Sequence, residues 1–160
     1  MSPTMTMDDA RKARVGSEEY VTIRVDDQLI GVRVLTVQDV LGPHKILPIP
    51  LSGSAIAGAL NLRGRIVTAI DLRVCLDLDP CPDPSKAMSV VVEHENELYS
   101  FLVDDVGEVL TPPDSEFERL PANLSGPWRD VCSGVFRLPQ GLLLVLDVNR
   151  LIDLVDGSLS

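Results

Sequence analysis

Gly58–Leu78 reads GALNLRGRIVTAIDLRVCLDL, and Gly134–Leu154, near the other end of the chain, reads GVFRLPQGLLLVLDVNRLIDL. The two stretches align without a gap at a constant offset of 76 residues. Five of the 21 aligned pairs are identical, and nine more exchange one apolar or small residue for another. Chance rarely gives such a match without a gap. We therefore interpret the two stretches as copies of one supersecondary unit.

Each copy has the pattern of a hairpin followed by a short helix. In the first copy the turn is predicted at Arg63-Gly64, because Gly64 can adopt the positive φ that a tight hairpin turn needs. Asp71 follows the second strand, where an aspartate can cap the N-terminus of a helix. Apolar residues then fall at i, i+3 and i+4, with Cys75 among them, and Asp147 opens the equivalent helix of the second copy.

The rest of the chain is rich in short apolar alternations that predict strands. Hydrophobic residues make up 45% of the chain and aromatic residues only 4%, so the core is mostly Val, Leu and Ile, which favours strands. Each half contributes about five short strands and one capping helix, which predicts a mostly β fold of small, strongly curved barrels. Leu142–Leu146 is apolar on both faces, so we expect the two halves to pack together there. Phe117–Pro127 is expected to be irregular.

Domain boundaries follow from composition and the repeat. Residues 1–17 are predicted to be a disordered N-terminal segment, and residues 18–156 one domain. Within it we expect two pseudo-repeated lobes, roughly 18–78 and 87–155. A linker at 79–86, with three prolines in eight residues, joins them.

Charge and hydropathy exclude several classes of partner. Fourteen Lys and Arg stand against 24 Asp and Glu, a net charge of −10, and a nucleic-acid-binding protein needs a basic face. The N-terminus lacks the apolar region of a signal peptide, and no run approaches the roughly 18 apolar residues of a membrane span. We therefore expect a cytoplasmic protein with no nucleic-acid partner and no direct membrane insertion.

Candidate catalytic and metal-binding residues have structural explanations. Three cysteines and two histidines lack the spacing of metal ligands, so neither a metal nor a cofactor is expected. Cys75 aligns with Leu151, which indicates a core residue. The acidic pair Asp71 and Asp147 is better explained by helix capping than by catalysis. No nucleophile motif accompanies either histidine, and we expect no enzyme activity.

Arg63 is open to two interpretations. It can be a solvated arginine at a hairpin tip. However, the second copy has Pro139 at this position, and a residue present in only one copy is less needed by the shared fold. A guanidinium held on a rigid turn can donate two hydrogen bonds to a carboxylate, or donate to a carbonyl group, of a partner. The residues alone do not decide between these alternatives.

Two pairs of motifs resemble those of the CheW family of chemotaxis coupling proteins. Asn61–Gly64 (NLRG) is followed by Ile70–Arg73 (IDLR), and Val37–Val40 (VQDV) precedes Leu47–Pro50 (LPIP). The resemblance extends from about Tyr20 to Val155. It implies two intertwined SH3-like five-stranded barrels with short capping helices around a shared core. It also implies an adaptor, not an enzyme.

The resemblance further implies partners and site residues. A CheW-like adaptor couples the cytoplasmic signalling tip of a methyl-accepting chemoreceptor to the regulatory domain of a CheA-type histidine kinase. Arg63 and Val37 map onto the receptor-binding groove between the lobes, and Asp39 and Gly58 are nearby matches. The kinase contact would be made between barrel ends. Two alternatives stay open: a coupling protein of a chemosensory pathway unrelated to motility, and a barrel that binds a small ligand between its lobes.

Overall fold

The structure, a computed structural model, describes residues 18–50, 53–124 and 126–159, with side chains as far as residue 155. The segment 1–17, predicted to be disordered, lies outside the described residues. The described part contains eleven strands: β1 Tyr20–Val25, β2 Gln28–Arg33, β3 Val37–Leu41, β4 Ile56–Leu62, β5 Arg65–Asp71, β6 Met88–His94, β7 Glu97–Val103, β8 Asp105–Leu110, β9 Phe117–Glu118, β10 Cys132–Leu138 and β11 Gly141–Leu146. Its α-helices are α1 Leu72–Cys75, α2 Gly126–Val131 and α3 Val148–Leu159.

The strands form two sheets that interleave the halves of the chain. The six-stranded sheet has the order β8-β1-β2-β11-β10-β9, and the five-stranded sheet has the order β3-β6-β7-β5-β4. Neighbours are antiparallel except for the parallel pairs β2–β11 and β5–β7. Each sheet therefore takes strands from both 18–78 and 87–155. The mostly β, intertwined architecture that the resemblance implied is confirmed.

The internal repeat is visible in the register of the strands. The β4–β5 pairing shifts between Ile56 and Gly58, and the β10–β11 pairing shifts between Cys132 and Gly134. These bulges lie at the same 76-residue offset as the sequence repeat. A helix capped by an aspartate follows each hairpin: Asp147 Oδ1 accepts the Arg150 N–H at 3.0 Å, as a cap should. The prediction of two copies of one hairpin–helix unit is confirmed.

Buried apolar side chains form three clusters, because each sheet is covered on both faces. The largest cluster lies between the sheets and includes residues of both sheets and all three helices. A smaller cluster belongs to each sheet alone. Along β11, Leu144 and Leu146 enter the shared cluster, whereas Leu143 and Val145 enter the cluster of the six-stranded sheet. The prediction that this apolar strand is covered on both faces is confirmed.

The segment Phe117–Pro127 is ordered at its two ends, where the expectation of an irregular segment was wrong. Residues 119–124 form neither helix nor strand, as expected. Phe117 and Glu118 form β9, paired with β10, and α2 begins at Gly126. Proline in the first turn of a helix costs no intrahelical hydrogen bond, which explains how Pro127 can be the second residue of α2. Trp128 then packs against the shared cluster. Both elements depend on contacts with β10 and the core, which have no local sequence signature.

Candidate functional site

The turn between β4 and β5 holds Arg63 in a defined backbone conformation. Arg63 has φ 53° and Gly64 has φ 87°, the two successive positive values of a type I′ hairpin turn. The Gly64 N–H donates a hydrogen bond of 2.9 Å to Asn61 Oδ1, which stabilises the turn. The sequence predicted the positive φ of Gly64 but not that of Arg63. The Arg63 side chain extends from this turn and is 80% exposed.

Asp39 is the partner of Arg63 on the other edge of the five-stranded sheet. Arg63 Nη2 lies 3.3 Å from Asp39 Oδ2, although β4 and β3 are the two edge strands of that sheet. The sheet must therefore curl until its edges approach each other. The segment that follows β3 also pairs with β4, through two backbone hydrogen bonds of 2.8 Å between Leu47 and Ala59. An exposed ion pair adds between zero and about 1 kcal/mol, so the guanidinium can exchange Asp39 for another carboxylate at little cost.

Val37 and Gly58, the other two candidate residues, have structural roles. Val37 is half-buried on β3, packs against the shared cluster and is paired with Val92. Gly58 has φ 150°, and a Cβ placed on it would lie 2.2 Å from the Leu47 carbonyl oxygen. Only glycine allows this close approach of the two backbones. The structure thus brings Arg63 and Asp39 together, with Val37 on the strand of Asp39 and Gly58 on the hairpin of Arg63.

An exposed apolar surface lies beside the same hairpin, and no sequence pattern predicted it. Leu47 is 58% exposed and Ile66 70% exposed, and they line an open cavity of about 520 Å³. The other residues that line it are Pro43, His44, Lys45, Ala59, Leu60 and Asn61. We call this region the Leu47–Ile66 surface. Alternation along β5 places the side chains of Ile66 and Val67 on opposite faces of the sheet. Only the tertiary structure shows that no described residue covers Ile66.

The IDLR motif, Ile70–Arg73, stabilises the fold. Asp71 is 4% exposed, and its carboxylate accepts the Arg73 N–H at 3.1 Å and the Cys81 N–H at 2.8 Å. One oxygen thus caps α1, and the other fixes the start of the linker. The capping role predicted for Asp71 is confirmed.

Arg73 connects α1 to two distant turns. Its Nη1 donates to Asp104 Oδ2 at 2.6 Å, its Nε donates to the Asp79 carbonyl at 2.8 Å, and Nη2 lies 3.7 Å from Asp26 Oδ1. The hydrogen bond to Asp104 raises the pKa of the guanidinium above its usual value. The Asp26 N–H also donates to Asp104 Oδ2, so one carboxylate holds the β1–β2 turn and α1 together. No local sequence pattern predicts this network, because its members lie far apart along the chain.

Two of the three cysteines, Cys75 and Cys132, pack into the shared cluster. Burial raises the pKa of the Cys75 and Cys132 thiols to about 12, so at neutral pH both remain protonated. Among the residues that the structure describes, no group of three or more His, Cys, Asp or Glu side chains is placed to hold a metal ion. Nor does any helix in that part of the chain combine the length and apolarity needed to cross a bilayer.

Comparisons with known proteins agree with this architecture. A family model described as "CheW-like domain" matches residues 19–156. The chain is 26% identical over 136 residues to the chemotaxis protein CheW of Thermotoga maritima, which covers 84% of this chain and 87% of the relative. It is 23% identical over 134 residues to the chemotaxis protein CheW of Rhizobium meliloti, covering 84% and 86%.

A solved structure has the same fold. The crystal structure of the scaffolding protein TtCheW from Thermoanaerobacter tengcongensis superposes with a TM-score of 0.75 at 21% identity. The match covers 84% of this chain and 92% of that one. Since the family model spans nearly the whole described region, the chain belongs to the CheW-like domain family.

Proposed function

We propose that this protein is a non-enzymatic, cytoplasmic adaptor that couples chemoreceptor signalling tips to a CheA-type histidine kinase. Membership of the CheW-like family supports the proposal. The observation that carries it is the exposed Arg63 guanidinium, held on a rigid turn and paired with a single surface carboxylate. Such a group is poised to recognise a partner. The same role would serve a chemosensory pathway that controls processes other than motility.

The receptor-binding site in this proposal is centred on Arg63 and Asp39. A receptor carboxylate or carbonyl can take the place of Asp39 in front of the guanidinium, because an exposed pair is weak. Asp39 would then orient the arginine before binding. Val37, on the same strand as Asp39, contributes apolar area at the edge of the shared cluster. Gly58 contributes indirectly, by allowing the Leu47 backbone to lie close to β4.

The kinase-binding site in this proposal is the Leu47–Ile66 surface. Two large apolar side chains exposed side by side commonly mark a protein interface on a protein that is otherwise strongly charged. Hydrophobic area of this kind supplies affinity, whereas charged groups such as Arg63 supply specificity. Because each surface includes a residue of the β4–β5 hairpin, Arg63 or Ile66, the adaptor could contact the receptor and the kinase together.

Co-sedimentation with receptor-containing membranes and a CheA-type kinase tests the proposal. We expect the wild-type protein to pellet with both partners and to raise kinase activity. Arg63→Ala should lower receptor binding by about tenfold, since losing a hydrogen bond to a charged group costs about 1.5 kcal/mol. Ile66→Glu should weaken kinase binding while leaving receptor binding intact.

Arg137→Ala is the matched control. Arg137 is also an exposed hairpin arginine, 68% exposed and paired with Glu118 at 2.7 Å, but it lies on the six-stranded sheet. It should bind both partners like the wild type. Failure of the wild-type protein to bind either partner would contradict the coupling function. Equal losses in Arg63→Ala and Arg137→Ala would contradict the assignment of the receptor site.

A further inference from the structure

Charge is distributed unevenly along the chain, and the stretch 40–70 differs from the rest. It contains no Asp or Glu but three basic residues, Lys45, Arg63 and Arg65, so its net charge is +3 in a chain of −10. The same stretch supplies every residue that lines the cavity of the Leu47–Ile66 surface. This apolar surface therefore belongs to a basic part of an acidic protein.

Lys45 is the cation that lines this cavity, and its backbone is held on both sides by Ser85. The His44 N–H donates to the Ser85 carbonyl at 3.1 Å, and the Ile46 N–H donates to Ser85 Oγ at 3.2 Å. Lys45 is exposed, and none of the carboxylates that the structure describes forms an ion pair with it. Six other described basic side chains do have such a partner. The Lys45 ammonium is thus a positioned charge that is available to another molecule.

The acidic residues of the protein lie outside this cavity. Among the residues that line it there is no carboxylate. On the β7 side, Glu97 lies beyond Ile66, because each of them immediately precedes a member of the cross-strand pair Val67–Leu98. The surface therefore has a positive edge at Lys45 and an acidic boundary at Glu97. A segment that binds across it has to place its own carboxylate on the Lys45 side.

We propose that the Leu47–Ile66 surface binds an acidic polypeptide segment, whose apolar side chains cover Leu47 and Ile66 and whose carboxylate pairs with Lys45. The inference rests on the proposed function, in which the kinase supplies the occupant of this surface. An open cavity suits a polypeptide better than a small molecule, since small-molecule sites bury most of their ligand. A second copy of the chain is disfavoured, because two molecules of net charge −10 repel each other.

The charge of Lys45 should act mainly by directing the partner to this face. Charges at the rim of an interface change the association rate and the salt dependence of binding, whereas the apolar contacts supply the affinity. Because the whole chain is negative, an acidic partner is repelled by most of the molecule and attracted at this surface. Binding of such a partner should therefore depend on Lys45 most strongly at low salt.

Calorimetric titration of the full chain with the regulatory domain of a CheA-type kinase, in 0.1 M and 1 M NaCl, tests the inference. The Debye length falls from about 10 Å to about 3 Å between these concentrations. We expect Lys45→Glu to lower the affinity about tenfold in 0.1 M NaCl, because a weak attraction becomes a repulsion of similar size, and less than about twofold in 1 M NaCl. Lys45→Arg should bind like the wild type. Arg24→Glu, the same change of charge on β1 of the six-stranded sheet, is the matched control and should also bind like the wild type.

NMR titration with synthetic peptides tests the surface without the kinase. A peptide that alternates Leu and Glu should shift the backbone amide signals of Lys45, Leu47 and Ile66, whereas a peptide that alternates Leu and Lys should not. Sedimentation of the protein alone should show a monomer.

The outcomes separate this inference from the coupling function. Kinase binding that Lys45→Glu leaves unchanged, or weakens no more than Arg24→Glu does, would overturn the acidic occupant and leave the coupling function standing. If the kinase does not bind, the coupling function fails and the peptides decide: a preference for the basic peptide, or no shift with either, overturns the inference. Self-association of the wild type that Lys45→Glu abolishes would overturn it too, because the occupant would then be a second copy.

Discussion

At the scale of single residues, two arginines ten positions apart have opposite roles. Arg63 is 80% exposed and pairs weakly with Asp39, whereas Arg73 is 20% exposed and contacts two carboxylates and a carbonyl. Both belong to motifs that carry the family resemblance. Arg63 could be singled out from the sequence, because the second copy of the repeat lacks it. The role of Arg73 could not, because Asp104 and Asp26 are distant from it in sequence.

Arg73→Ala should destabilise the protein. The change leaves Asp104 without its hydrogen bond from Nη1 and the Asp79 carbonyl without its donor, at a cost of about 1 to 2 kcal/mol for a partly exposed site. Urea unfolding measures this directly. Arg63→Ala is the comparison and should lie within about 0.5 kcal/mol of wild type. Equal stability of Arg73→Ala and wild type would show that the network is only a surface contact.

At the scale of elements, periodicity and turn chemistry predicted the hairpins well. The Asp26-Asp27 and Glu95-Asn96 turns, like the Arg63 turn, adopt two successive positive φ values and join strands whose alternation was evident. The pairing of Leu47 with Ala59 of β4 had no such signal in the sequence. Such pairing depends on the β4 bulge at Gly58, and a sequence does not show which two backbones will touch.

Gly58→Ala should release the segment around Leu47 from β4. A Cβ at this position would clash with the Leu47 carbonyl oxygen, and the φ of 150° is strained for alanine. We expect a loss of about 2 kcal/mol or more in the free energy of unfolding, measured by urea denaturation. Gly42→Ala is the matched control, because nothing lies within 4 Å of its added Cβ.

Gly58→Ala also tests whether Gly58 touches a partner directly or acts only by setting the backbone conformation of the proposed binding sites. If Gly58→Ala weakens receptor binding only in proportion to its loss of folded protein, Gly58 acts through the backbone. Full stability of Gly58→Ala would be incompatible with the close approach of Leu47.

At the scale of the whole molecule, the shared cluster between the sheets is the central structural feature. The sequence predicted that the halves pack together through Leu142–Leu146, because that strand has no polar face. The exposed Leu47–Ile66 surface could not be predicted from the sequence, because exposure depends on how the strands curl and on which residues cover them. Thus the fold follows from repetition and alternation, whereas the site depends on surfaces that exist only after folding.

Cysteine reactivity reports on the integrity of that core. Burial raises the pKa of Cys75 and Cys132 to about 12, so at pH 8 about one thiol in 10⁴ is ionised, and thiolate is the reactive form. Alkylation at pH 8 followed by mass spectrometry should therefore modify Cys75 and Cys132 slowly in the native protein and rapidly in 6 M guanidinium. Because raising the pH restores thiolate, native labelling should accelerate as pH approaches 10. Fast native labelling of Cys132 at pH 8 would contradict its burial in the core.

The interleaved strand order also has a consequence for synthesis on the ribosome. All strands of the five-stranded sheet lie between Val37 and Val103, so that sheet can close while the rest of the chain is still being made. The first hairpin, β1–β2, has to wait for β11, whose last residue is Leu146. The earliest strands to emerge are thus among the last to acquire all their neighbours. During that interval the edge of β2 is open to other chains, and translation speed over the second half sets how long that exposure lasts.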